Sequence, residues 1–396
     1  MPAGPLRVCY LPWAELEEEA RVGPVRFVPF AIWLESFVPD VVTRRFWERY
    51  ARCHIGMDGG SVGSLTMAVV DGAVFGVLTA KQEDCIHRAA DALAFAHLTS
   101  GYGSRALPEN RGAGGVPIAH VDRFMLYSKS FMPTDRSATI TTYGGMANWS
   151  LAQLKWQRPP HVWGGLCVSP DKQLLAGLGR IVAVGPRHPF ANQVWAALHW
   201  TRVAFSGGDG VEDAMRFVIM MTAYEALLAK ESIAIVKAKG AKARRGGGEV
   251  KRAFKSFVNA HLNHQWLATV KRDFKSGGIH QIPIPADWFY EGFDLRGGIV
   301  HGESLRATRG VYRGHPHLLL AVLFMWVSVK ARLVEGGLIP THMSRKGRAT
   351  MAKLSGSAWT KRDEMKMEFN SDDLRRLYSA LNWYSAKWKK ILRKRG

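Results

Sequence analysis

At 396 residues, with 47% hydrophobic and 22% charged side chains, the chain has a globular composition and room for two or three domains, which excludes a disordered or fibrous class. Its 54 Lys and Arg against 33 Asp and Glu leave a formal net charge of +21, pointing to a polyanionic partner: nucleic acid first, an anionic membrane surface second. The four cysteines, Cys9, Cys53, Cys85 and Cys167, show no CxxC spacing. They argue against a structural zinc or a disulfide framework and fit a reducing cytoplasm.

The opening MPAGPLRVCYLPWAELEEEA lacks a basic stretch followed by an apolar core, so no signal peptide is expected. Residues 1–188 read as an α+β domain with more strand than helix. Residues 64–70, Asp71-Gly72 and residues 73–78 predict a hairpin, because Asp-Gly supplies the positive φ angles of a type I′ turn. Residues 25–34, 138–143 and 174–184 are further strand-like runs, and 86–98, rich in Ala and Leu, predicts a helix. Residues 101–117 read as a loop. Trp149, Trp156 and Trp163 are interleaved with Lys155, Arg158 and His161, which suits bases stacked between basic side chains and also suits core packing.

Residues 189–340 have helical periodicity. Helices are predicted over 192–205, 211–229, 249 to about 267, and 317–334, with the segment containing Arg296 and His301 beginning or occupying another. The apolar run 318–329 is too short to span a bilayer and reads as a buried helix. Between 237 and 255 lies a glycine-rich basic patch whose Lys242, Arg244, Arg245, Lys251 and Arg252 are candidate nucleic-acid contacts. Residues 341–396 read as a basic linker and a helix capped by Ser371, with Lys389, Lys390 and Arg393 on its charged face. That face suits phosphate, dimer packing or plain solvation.

The motif that carries chemistry is DWFYEGFDLRGGIVHGES, residues 287–304, in which Arg296 precedes His301 by five residues and Gly302 follows. Metal-free cleavage of an RNA phosphodiester needs a base for the 2′-OH proton, an acid for the departing 5′ oxygen, and positive charge against the phosphorane. Histidine suits the proton transfers and arginine the charge. Five residues turn a helix by about 140°, so the two side chains do not share one stripe. Their convergence calls for a distorted helix start at Gly297-Gly298, the reach of the arginine, or a second subunit.

This spacing, with Tyr224-Glu225-Ala226-Leu227-Leu228 on an earlier helix, resembles the HEPN ribonucleases, specifically the ApeA-like branch, over roughly residues 190–335. The resemblance implies a HEPN-like helical bundle and a metal-independent endoribonuclease leaving 2′,3′-cyclic phosphate and 5′-OH ends. It also implies a homodimer with facing motifs, and a role in anti-phage defence or as a toxin-like effector. Arg296 and His301 become the catalytic pair, and Glu225 the acidic residue that orients them. No cofactor, metal or membrane partner is expected; residues 1–188 would sense a protein or nucleic-acid trigger, or present RNA. One departure stands out: Gly297 occupies the position where the family usually has Asn, Asp or His.

The alternative is a non-catalytic RNA- or DNA-binding module that uses the bundle to dimerise. Gly59-Gly60-Ser61-Val62-Gly63 fits the hydrolase pattern G-x-S-x-G, but the helix that should follow Ser61 is missing from the pattern. Glu303, His315 and His317 match no motif position and read as exposed polar residues.

Overall fold

The computed structural model describes residues 6–62, 65–103, 121–133, 137–142, 145–159, 170–185, 188, 190–207, 212–238, 247–262, 269–274, 278–302, 311–312 and 315–339. The chain divides into two compact units, with the principal division after His188. The first contains a sheet and the second is mainly helical. Among the described residues, no helix is long and apolar enough to cross a membrane.

In the first unit, β1 (Leu6–Leu11), β2 (Ala20–Val22) and β3 (Val25–Pro29) lead into α1 (Phe30–Phe37) and α2 (Val41–Ala51). Then come β4 (His54–Ile55), β5 (Thr66–Val70), α3 (Ala80–Gly103), β6 (Tyr127–Pro133), β7 (Ser137–Thr142), β8 (Gly145–Ser150), β9 (Trp156–Gln157) and α4 (Lys172–Val184). Seven strands form an antiparallel sheet ordered β2-β3-β5-β1-β6-β7-β8, while β4 and β9 pair separately and in parallel. β1 lies mid-sheet with every residue but Arg7 buried, which explains its nearly unbroken apolar run. On one face Trp33, Phe46, Trp47 and Tyr50 of α1 and α2 pack with Tyr10 and Phe131; the Tyr50 and Phe131 ring centroids are 4.9 Å apart. Asp40 starts α2 by accepting a hydrogen bond from the Thr43 N–H at 2.8 Å.

The expected hairpin over residues 64–78 does not form. β5 lies between β3 and β1, with Ala68 opposite Phe27 on one side and Cys9 on the other. Both of its edges are occupied, so residues 73–79 leave the sheet, and the Arg7 N–H donates to the Gly76 carbonyl at 2.7 Å. A turn does form at Asp71-Gly72: the Ala73 N–H donates to the Val70 carbonyl at 3.1 Å, Gly72 has φ +74°, and the Asp71 carboxylate holds Arg21 and Arg26.

Residues 174–184, expected as a strand, are helical. The buried Leu174, Leu175, Leu178, Ile181 and Val182 recur at helical spacing, and Asp171 caps α4 by accepting from the Leu174 N–H at 3.0 Å. Packing of α4 on β2 leaves no room for side chains: a Cβ on Gly179 would lie 2.6 Å from the Gly23 nitrogen. Residues 25–34 divide between β3 and α1, residues 86–98 lie within α3, and 138–143 largely coincide with β7. Helix outweighs strand among the described residues of this unit, reversing the expected balance.

In the second unit, α5 (Ala191–Phe205), α6 (Asp213–Leu227), α7 (Ala229–Ala238) and α8 (Gly247–Phe257) precede a hairpin of β10 (Thr269–Phe274) and β11 (Gly278–Pro283). Then follow α9 (Ile284–Val300), the two-residue strands β12 (Val311–Tyr312) and β13 (His315–Pro316), and α10 (His317–Glu335). The hairpin corrects the all-α expectation: Thr269, Val270, Ile279 and Ile282 are β-branched and favour an extended ladder. The helix expected to reach residue 267 ends instead in α8 and a π-helical turn, Val258–Leu262. Gly247 and Gly248, from the glycine-rich patch, open α8.

The core of this unit is aromatic. α6 packs on α9 and α10, and α8 packs on α9. The buried Tyr224 ring meets Phe254, Trp288 and Phe289 at centroid distances of 5.5, 5.9 and 5.3 Å, and Phe254 stacks on Phe289 at 4.0 Å. The Tyr224 hydroxyl donates to the Ala321 carbonyl at 2.7 Å. Tyr224→Phe keeps the ring contacts and loses this bond, so a urea melt should show a stability loss of about 1 kcal/mol. From Leu320 to Leu333 α10 is buried on all sides, matching the buried helix expected from its apolar run. The linker and C-terminal helix expected over 341–396, including Lys389, Lys390 and Arg393, lie outside the described residues.

Candidate functional site

Pro283 precedes α9 and Pro285 sits in its first turn, where a missing N–H costs no helical bond. The helix then runs unbroken to Val300. The expected distorted start at Gly297-Gly298 is therefore absent: both glycines are helical, and the motif forms the last turn. The His301 N–H reaches the Gly297 and Gly298 carbonyls at 3.1 Å, and Gly302, with φ +90°, takes the chain out of the helix.

Gly297 has open space around it, since a Cβ there would meet nothing within 4 Å. Gly297→Ala should consequently raise the denaturation midpoint, by up to about 1 kcal/mol in stability, because alanine is the better helix former.

Helix packing sets Glu225 against Arg296. With its neighbour Tyr224 in the core, Glu225 is turned about 100° around α6 to the rim of the bundle. There its Oε1 lies 3.3 Å from Arg296 Nη1, both side chains being about one-quarter exposed. The Arg296 guanidinium also rests over the Phe293 ring, 5.4 Å from its centroid. This partly solvated pair orients the arginine more than it stabilises the fold. His301 is exposed one turn further on, and among the described residues no hydrogen bond or ion pair joins its imidazole to Arg296 or Glu225. The structure thus brings together two of the three expected residues and leaves the third on the adjacent rim, beside the exposed Val300.

The expected phosphate contacts divide in two. Lys242, Arg244 and Arg245 lie outside the described residues. Lys251 pairs with Asp294 and lies 5.8 Å from the Tyr290 ring centroid, while Arg252 bonds Glu249 at 2.6 Å. These two cations are held by carboxylates of the bundle, an arrangement that patch composition did not reveal.

His317, expected to be exposed, is buried at the start of α10. Its Nδ1 accepts a hydrogen bond from Trp288 Nε1 at 3.1 Å, its ring lies 5.4 Å from Phe217, and its Nε2 is 3.6 Å from Glu291. A neutral imidazole here must carry its proton on Nε2. The signal that could have placed it inside is its position directly before the apolar run of α10.

Ser61 bridges to Ile55 and is followed by β5 instead of a helix, so it lacks the turn that presents a nucleophilic serine. Cys9 and Cys53 are buried without a disulfide partner, and burial pushes both thiols up to about 11, away from nucleophilic use. Compared with family models, curated proteins and solved structures, the chain has no match.

Proposed function

We propose that the chain is a metal-independent endoribonuclease of HEPN type, with Arg296 and His301 as its catalytic pair and Glu225 as the residue that positions Arg296. The observation carrying this reading is the Glu225–Arg296 ion pair, formed on the rim of an aromatic bundle, with an exposed imidazole five residues further along the chain. Glu225 and Phe293 hold the guanidinium, which offers its remaining N–H groups to a phosphate.

In the reaction the ribose 2′ oxygen bonds to phosphorus as its proton passes to a base. The bond from phosphorus to the 5′ oxygen breaks, and that oxygen takes a proton from an acid. The products are a 2′,3′-cyclic phosphate and a 5′-OH. His301 serves one proton transfer and Arg296 neutralises the charge on the phosphorane. One imidazole cannot stand on both sides of the phosphorus at once, so the second transfer belongs to the His301 of a second copy. Val300 and His301 are exposed at the end of α9, which is compatible with that copy.

The His301 imidazole, without a hydrogen-bond partner among the described residues, and the missing side chain at Gly297 favour a second reading: an RNA- or DNA-binding module in which the bundle only dimerises. Incubation of the purified protein with labelled RNA in EDTA decides between them. Cleavage with cyclic-phosphate ends supports the nuclease, whereas tight binding with intact RNA supports the module.

A further inference from the structure

Helix α2 buries Thr43, Phe46, Trp47, Tyr50 and Ala51, so helical spacing turns Arg44, Arg45, Glu48 and Arg49 to solvent, with Arg52 at the C-cap; all five are exposed. Arg45, Arg49 and Arg52 follow one another at spacings of four and three residues. They fall within about 60° around the helix axis and about 10 Å along it, a single basic stripe.

The sheet brings an aromatic ring alongside. Phe46 and Tyr50 seat α2 on Phe131 of β6, with ring centroids 5.9 and 4.9 Å away. β7 and β8 carry the sheet past β6, and β8 is its edge among the described strands. Trp149 on β8 lies opposite Ala138, and opposed residues of a ladder share a face. Ala138 and Leu151 both belong to the core beneath α1 and α2. Trp149 therefore stands on the sheet face that carries α2, yet it is 47% exposed. The last turn of α2 closes against the chain just after β8: the Cys53 thiol lies 3.4 Å from both the Arg49 and the Leu151 carbonyls. The Trp156 N–H donates to the Cys53 carbonyl at 2.7 Å, which brings the chain at the exposed Lys155 to the chain at Arg52.

Exposed cations in a row replace the counterions of a phosphate backbone, and their release drives binding. An exposed indole beside the row offers a base a stacking face. Bases of a duplex are stacked on one another, so the indole selects a single strand. We propose that Arg45, Arg52 and Lys155, together with Trp149, form a docking surface for single-stranded nucleic acid, the cations taking phosphates and the indole a base. It lies wholly in the first unit and does not depend on the ribonuclease reading.

The test uses the full chain and a fluorescent 2′-O-methylated oligoribonucleotide, which has no 2′-OH and cannot be cut by the proposed chemistry. Anisotropy is measured against salt for the wild type, Arg45→Gln, Arg52→Gln, Lys155→Gln, their triple combination and Trp149→Ala, with circular dichroism to confirm folding. Each cation change should flatten the slope of log affinity against log salt by about 0.7, and the triple variant by about 2. Trp149→Ala should weaken binding at least roughly fivefold and leave the slope unchanged, because stacking moves no counterion. Lys172→Gln, which removes an exposed cation on α4, should bind like the wild type. A folded triple variant within twofold of the wild type overturns the proposal, as does a folded Trp149→Ala that binds normally. Equal weakening by Lys172→Gln overturns it too, by showing that net charge acts without a surface. So does equal binding of the matching duplex, or binding of phosphatidylserine vesicles that the triple variant loses while its oligonucleotide binding stays intact.

Discussion

Arg296→Ala and His301→Ala should each slow RNA cleavage in EDTA by roughly 10²- to 10⁴-fold in kcat, the usual worth of a proton-transfer group or a charge placed at the transition state. Neither should unfold the protein. His301 is exposed at the end of α9, and Arg296 is a partly exposed rim residue whose ion pair contributes at most about 1 kcal/mol. Chemical denaturation of the variants is the control, and midpoints near the wild type are expected. Glu225→Gln should fall between, roughly tenfold slower, because the amide still fills the position while the charge that holds the guanidinium is gone. Equal rates for the wild type and all three variants would sink the assignment of these residues. Loss of activity with a matching loss of stability would make Arg296 a scaffold residue instead.

Acidification from pH 6.5 to 4 should destabilise the first unit by several kcal/mol, through His54 and His97. His54 is fully buried within the Tyr10, Trp13 and Tyr50 rings, its Nδ1 3.2 Å from the Ala51 carbonyl, and burial lowers its pKa to about 4. His97 is lowered to about 4 by burial and by the Arg123 charge. A folded pKa below the unfolded one means that the unfolded chain binds the extra proton, so stability is intact above the unfolded value near 6.5 and falls as pH drops toward 4. Each imidazole accounts for about 3 kcal/mol across that window. Urea titrations at pH 7 and 4.5, followed by tryptophan fluorescence, measure the effect. His54→Gln should remove about half of it. A flat profile over this range would show that the two imidazoles are not buried in their neutral form.

How far the sequence was readable depended on how local each determinant is. The helices at 192–205, 211–229 and 317–334 were found to within two residues because their apolar side chains repeat at three and four positions within one segment. Residues 174–184 are apolar almost throughout, so periodicity alone could not separate strand from helix; the close approach of Gly179 to Gly23 separates them. The Asp71-Gly72 turn and the strand before it, β5, were likewise legible, yet the pairing and the strand expected after the turn were not. A turn is set by two residues, whereas a strand's partners are chosen from the whole chain, and β1 and β3 had taken both edges of β5.

The same division runs through the candidate site. By itself the sequence determined which groups are present: an arginine, a histidine and a helix-ending glycine within seven residues, a glutamate next to a core tyrosine, and a surplus of positive charge. Tertiary structure alone decided their relations. Packing of α6 on α9 pairs Glu225 with Arg296, and carboxylates from within the bundle hold Lys251 and Arg252. Trp288 and Phe217 draw His317 inside, while Gly302 leaves His301 at the open end of α9. Residue type sets what a side chain can do, but pairing and burial depend on contacts between segments far apart in the chain, and no local pattern records those.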